Sequence, residues 1–190
     1  MRIGLLGGTF DPPHFGHLNL AEEAKLNLGL DRIFFIPAGQ PPHKPRTELT
    51  PSLLRYKMTR LAIRNRPNYE VADLELRREP PSYTIDTLRQ FRNLYPFPHE
   101  IFFLVGADAL ELIHVWKDLA LILEMCRFMI ARRPGYPMKS IPEGAMALDI
   151  AELDISSDDI RRRIRLGESV NELLPYKFLR FIEKEGLYRS

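Results

Sequence analysis

A single cysteine, Cys126, excludes an internal disulfide, and its place in the apolar run Cys126 to Ala131 reads as a small core side chain rather than a nucleophile. No apolar stretch approaches the ~18 residues that span a bilayer. The chain enters its first expected strand at Arg2 without the charged and apolar segments of a secretory leader, so a cytoplasmic protein with no membrane partner is expected. A net charge of +2 is too small to draw the chain to nucleic acid, although Arg161, Arg162, Arg163 and Arg165 make a local basic cluster. Repeats and linker-like stretches are absent, so residues 1–190 are expected to form one domain. Apolar and charged fractions of 45% and 27% exclude disordered and collagen-like structure.

What is present is an alternation of apolar strands and helical patterns. Ile3 to Leu6 reads as a strand, and Leu18, Ala21, Ala24 and Leu28 recur at helical spacing and stop at Gly29. Arg32 to Ile36 then makes a second strand and completes a βαβ unit. Pro37 opens a proline-rich loop to Thr50 that carries His43 and Lys44, after which Thr50 as N-cap and Pro51 as first helical residue start a helix through about Ile63. A short strand near Val71, a helix from about Ile85 to Tyr95 capped by Thr84, and strands Ile101 to Val105, Cys126 to Ala131 and Met146 to Leu148 follow. Ser157 is the expected cap of a helix ending before Gly167, and a last helix runs from about Leu173 to Gly186. This order predicts an α/β, Rossmann-like doubly wound parallel sheet with helices on both faces and a small C-terminal helical segment, binding ligands at the carboxyl ends of its strands.

The most informative segment is Gly7 to His17, GGTFDPPHFGH, between the first strand and the first helix. Gly7 and Gly8 allow close backbone approach to a ligand, Thr9 and the first helical amides offer donors, and His14 and His17 share a face at the positive end of the helix dipole. Such a constellation complements phosphate oxygens. Two other readings stay open on spacing alone: a metal site built from Asp11, His14 and His17, and a glycine turn bearing two surface histidines.

That segment resembles the GGTFDPxHxGH signature of the nucleotidylyltransferase superfamily, and Ile155-Ser156-Ser157-Asp158-Asp159-Ile160-Arg161 approaches its ISSTxIR element. Asp158 departs from the family threonine and brings a carboxylate near the expected phosphates; pointing to solvent, it is an ordinary first-turn acid. Pro41-Pro42-His43-Lys44, Ser82-Tyr83-Thr84-Ile85-Asp86-Thr87-Leu88, Gly106-Ala107-Asp108-Ala109-Leu110 with Trp116-Lys117, and Leu187-Tyr188 are similar to motifs of the bacterial nicotinate-nucleotide adenylyltransferases. Phosphopantetheine adenylyltransferases share the first and last superfamily motifs but are shorter and lack the elements seen here at His43-Lys44 and Ser82 to Leu88, and are the second candidate.

The resemblance implies transfer of the adenylyl group of ATP to nicotinate mononucleotide, giving deamido-NAD and pyrophosphate. It implies His14, His17, Lys44 and Arg161 as catalytic groups. ATP would meet Gly7, Gly8, Thr9, Phe10, Gly106, Asp108, Ile155, Ser156 and Ser157 besides those histidines and Arg161. The acceptor would meet His43, Lys44, Tyr83, Thr84, Asp108, Trp116 and Arg133, with Trp116 stacked on its ring, Thr84 holding its carboxylate, and Asp108, as a buried acid, binding ribose hydroxyls. Magnesium is expected on the ATP phosphates with no metal site in the protein. Arg162, Arg163 and Arg165 are expected to form a solvated helix face. A homo-oligomer is left open, and a regulatory protein that binds the nucleotide without transferring it is the rival from another class.

Overall fold

A computed structural model describes residues 1–43, 45, 47, 49–95, 100–132, 141–151 and 153–189. Strands β1 (Arg2–Gly8), β2 (Arg32–Pro37), β3 (Tyr69–Val71), β4 (Glu100–Val105), β5 (Arg127–Arg132) and β6 (Ala145–Asp149) form one six-stranded sheet in the order β3-β2-β1-β4-β5-β6. Every neighbouring pair is parallel, with Leu5 flanked by Phe34 on β2 and Phe103 on β4. Strand order therefore reverses between β1 and β4, and the reversal opens a crevice at their carboxyl ends.

Side chains alternate across the strands, so continuous apolar runs supply two cores at once. On one face Ile3, Leu5, Ile101, Phe103, Phe128 and Ile130 pack beneath α3 (Thr84–Leu94) and α4 (Leu119–Met125). On the other, Leu6, Ile33, Phe35, Phe102, Leu104 and Met129 pack beneath α1 (Phe15–Leu28) and the end of α2 (Ser52–Ala62). A third cluster joins Met58 of α2 to Ile160 of α5 (Ser157–Arg165) and to Phe178, Leu179 and Ile182 of α6 (Tyr176–Lys184), so the C-terminal segment is an extension of the second face. Among the described residues, no helix is long and apolar enough to cross a membrane.

The strands and their parallel arrangement match the sequence expectation, and the helix starts correct it. Gly7 and Gly8 belong to β1 rather than to the turn, which begins at Thr9. Pro51 is the N-cap of α2, in extended backbone at ψ 135°, and not its first helical residue. Tyr83 rather than Thr84 caps α3, without a side-chain hydrogen bond that the sequence could have signalled. At α5 the cap is Ser156, whose Oγ accepts from the Asp159 N–H at 3.1 Å, and not its neighbour Ser157. Helix α6 starts at Tyr176, not Leu173, because Pro175 caps it and keeps Leu174 out of helical backbone. Helix α4 and two 3-10 turns, Ala107–Glu111 and Ile113–Val115, were not legible in the pattern. Cys126 ends α4 rather than opening β5; it is buried, and burial pushes its thiol up to about 12, which leaves it an inert core group.

Candidate active site

Directly after Gly8 the chain turns at Phe10, whose φ of 52° puts a bulky residue in left-handed backbone. The ring is nonetheless fully packed, edge-on to His17 at 4.9 Å between centroids and 5.8 Å from Phe35. It folds back so closely that a Cβ on Gly8 would lie 3.0 Å from it, which is why a glycine ends the strand. His14 caps α1, and its backbone N–H donates to Nδ1 of His17 at 3.2 Å. Nδ1 of His17 is thus an acceptor, so a neutral ring carries its proton on Nε2, where it is a donor. The two imidazoles lie 3.8 Å apart at 36°, with His14 buried and His17 half-buried.

A buried polar network below the turn holds it to distant parts of the chain. Asp11, 2% exposed, accepts from the Thr50 N–H at 2.9 Å and from the Tyr188 hydroxyl at 2.6 Å. Arg55, 1% exposed, donates to the carbonyls of Thr9, Gly39 and Thr50 at 2.7 to 2.9 Å. Burial lowers the pKa of Arg55, while Asp11 and Glu75 favour its charge; burial and the Asp11 charge raise that of Tyr188. From α5, Arg161 donates to the Asp11 carbonyl at 2.7 Å and Ser157 Oγ to the Pro12 carbonyl at 2.8 Å. The start of α5 is thereby fixed beside the start of α1, two helix N-termini facing one space.

Across the crevice, Trp116 stands edge-on to Phe103 at 6.4 Å and Phe128 at 5.6 Å, half-buried. Lys117 reaches back to α3, its Nζ 4.6 Å from the Tyr83 ring centroid and 3.7 Å from Asp86 Oδ2. Glu75 accepts from Thr87 Oγ1 at 2.6 Å, and burial raises its pKa above the usual carboxylate range. Asp108 sits in the 3-10 turn after β4 with its carboxylate folded over Gly106, where a Cβ would collide with it. It is exposed, contrary to the expectation of a buried acid, because the turn lifts it out of the sheet.

One cleft of about 1070 Å³ is bordered by every expected site residue except Lys44 and Arg133, which lie outside the described residues, and by Asp11, Glu75 and Lys117. His43 is at the cleft's rim, exposed. The metal alternative is not formed among the described residues, since the Asp11 carboxylate is turned to Thr50 and Tyr188 and away from a shared site with the histidines. Asp158 is 80% exposed and ion-paired with Arg161, while Asp159 holds Arg162 at 2.7 Å and Arg163 at 2.6 Å. Arg162 and Arg163, with side chains 51% and 39% exposed, lie on the expected solvated face and are ion-paired there with Asp159; Arg165 is exposed as expected and also borders the cleft. Arg55, Asp11, Lys117 and Glu75 were not singled out from sequence for these positions. Arg55 in particular sits at an ordinary helical spacing where a solvated arginine is the default.

Residues 5–163 match the cytidylyltransferase-like family. The chain is 46% identical, over all of both chains, to a probable nicotinate-nucleotide adenylyltransferase of Thermus thermophilus. It is 41% identical to that of Desulfitobacterium hafniense, covering 99% of this chain and 96% of the relative. Among solved structures, the Plasmodium falciparum nicotinic acid mononucleotide adenylyltransferase complexed with NaAD superposes with a TM-score of 0.77 at 23% identity, covering 98% of this chain and 97% of that one; it has the same fold.

Proposed function

Since the chain belongs to the nicotinate-nucleotide adenylyltransferases of the cytidylyltransferase-like family, we propose that its cleft joins ATP and nicotinate mononucleotide into nicotinate adenine dinucleotide with release of pyrophosphate. The observation that carries this reading is the convergence of two helix starts bearing His14, His17 and Arg161 on a cleft whose opposite wall is Tyr83, Thr84 and Trp116. One wall suits polyphosphate and the other suits a flat, cationic ring bearing an acid group.

An oxygen of the acceptor phosphate attacks the α-phosphorus of ATP, a new P–O bond forms, and the bond to the oxygen bridging toward the β-phosphorus breaks with pyrophosphate as the leaving group. The attacking phosphate is anionic near neutral pH, so catalysis consists of alignment and of stabilising charge in the transition state. His17 offers Nε2–H, with its ring held by the His14 amide and by Phe10. His14, Arg161 and Lys44 add donors and positive charge. Gly7, Gly8, Thr9 and Phe10 with Ile155, Ser156 and Ser157 receive ATP, Gly106 and Asp108 border the ribose, and His43 and Arg133 serve the acceptor.

Magnesium, when bound, would neutralise charge on the polyphosphate. Asp11 is taken by Thr50 and Tyr188, Glu75 by Thr87 and Asp158 by Arg161, which leaves Asp108 as the exposed carboxylate of the cleft; with no cage of three ligands among the described residues, the ion would be held mainly by phosphates and water. We infer a cytoplasmic protein of one domain over residues 1–190 acting on small molecules, without a nucleic-acid partner. The reading is tested by mass analysis of the products from ATP, magnesium and nicotinate mononucleotide. The dinucleotide is the expected product, and its absence overturns the assignment.

A further inference from the structure

The acceptor differs from its amide counterpart in one group, a carboxylate in place of a carboxamide, and the wall that meets this end of the cleft contains a cation that the reaction chemistry leaves unused. Trp116 is in extended backbone (φ −69°, ψ 132°), so the side chains of Trp116 and Lys117 diverge. Trp116 is anchored on Phe103 and Phe128, while Lys117 crosses to the first turn of α3 and lies over the Tyr83 ring at 4.6 Å. Both residues border the cleft together with Tyr83 and Thr84.

The hold on Lys117 is slack. Its distance of 3.7 Å to Asp86 is beyond hydrogen-bonding range, Asp86 is also paired with Arg89 at 3.4 Å, and the lysine side chain is 46% exposed. The Tyr83 ring holds the ammonium itself through a cation–π contact, which orients Nζ without taking up a directed hydrogen bond. Glu75, another acid bordering the cleft, is turned to Thr87 and lies 4.0 Å from Arg78. A carboxylate arriving beside Trp116 would meet an oriented ammonium; a carboxamide in the same place would gain only a neutral hydrogen bond, about half as strong.

We propose that Lys117 is the specificity-determining residue that selects an acid-bearing pyridine mononucleotide over its amide. This rests on the function proposed above, and the two fail separately: the function fails if the unaltered protein transfers no adenylyl group to nicotinate mononucleotide, whatever Lys117 does. Calorimetric titration of the protein and of its Lys117→Gln and Lys117→Arg variants with nicotinate and nicotinamide mononucleotides gives the test, with ATP affinity and thermal unfolding as controls. The expected result is that Lys117→Gln lowers the ratio of nicotinate to nicotinamide affinity about tenfold, the scale of a lost charge-assisted hydrogen bond. Lys117→Arg retains the ratio, and salt erodes it in the unaltered protein but not in Lys117→Gln. Equal weakening toward both acceptors, an unchanged ratio, or no preference in the unaltered protein would each overturn the proposal.

Discussion

The Tyr188 hydroxyl donates to Oδ1 of Asp11 at 2.6 Å, joining residues 177 positions apart in the chain. Through it the C-terminal segment is tied to the turn that carries the histidines, while the second carboxylate oxygen holds the Thr50 amide at the end of the loop that carries His43. Tyr188→Phe removes one hydrogen bond to a buried charge and is expected to destabilise the fold by about 1.5–2 kcal/mol, read as a lower denaturant midpoint with unchanged slope. A loss below ~0.5 kcal/mol would show that Asp11 is satisfied without it.

His17→Ala deletes the donor held between Phe10 and the His14 amide. Turnover should fall by roughly 10²-fold or more with the fold intact, the usual loss for one preorganised donor at a transition state. Near-normal turnover in the folded variant would remove His17 from the chemistry.

Trp116→Ala should raise the acceptor KM by about tenfold through lost stacking, with ATP KM little changed. Some stability is lost as well, since Trp116 packs edge-on to Phe103 and Phe128. A rise in ATP KM alone would place the adenine, not the pyridine, against this residue.

Asp158 holds one guanidinium nitrogen of Arg161 while the other donates to the Asp11 carbonyl, so the ion pair competes with any anion brought to Arg161. Asp158→Thr is expected to lower ATP KM by about two- to fivefold, a small effect because the carboxylate is exposed and solvent screens it. An unchanged ATP KM would show that Arg161 leaves Asp158 at no cost.

The strands were readable because each apolar run fills two cores at once, and their alternation with helical stretches stopped at residues such as Gly29 set the topology. The cleft residues were readable through short contiguous motifs, and the fold brings those motifs to one place. Helix caps were not, because Ser156 and Ser157 are equally good caps by type, and neither Tyr83 nor Pro51 makes a capping side-chain bond. The Asp11, Arg55 and Tyr188 network was invisible for a different reason: its hydrogen bonds join segments set side by side only by the folded sheet, and nothing local marks Arg55 as buried. The left-handed Phe10 likewise depends on a pocket made by Phe35 and His17.

Pyrophosphate release from ATP and magnesium, measured in parallel with nicotinate mononucleotide, nicotinamide mononucleotide and phosphopantetheine, tests the central claim most directly. The account requires the highest kcat/KM with the nicotinate nucleotide. Release only with another acceptor would contradict the assignment of Tyr83, Thr84 and Trp116 to a pyridine ring, and release with none would leave a protein that binds the nucleotide without transferring it.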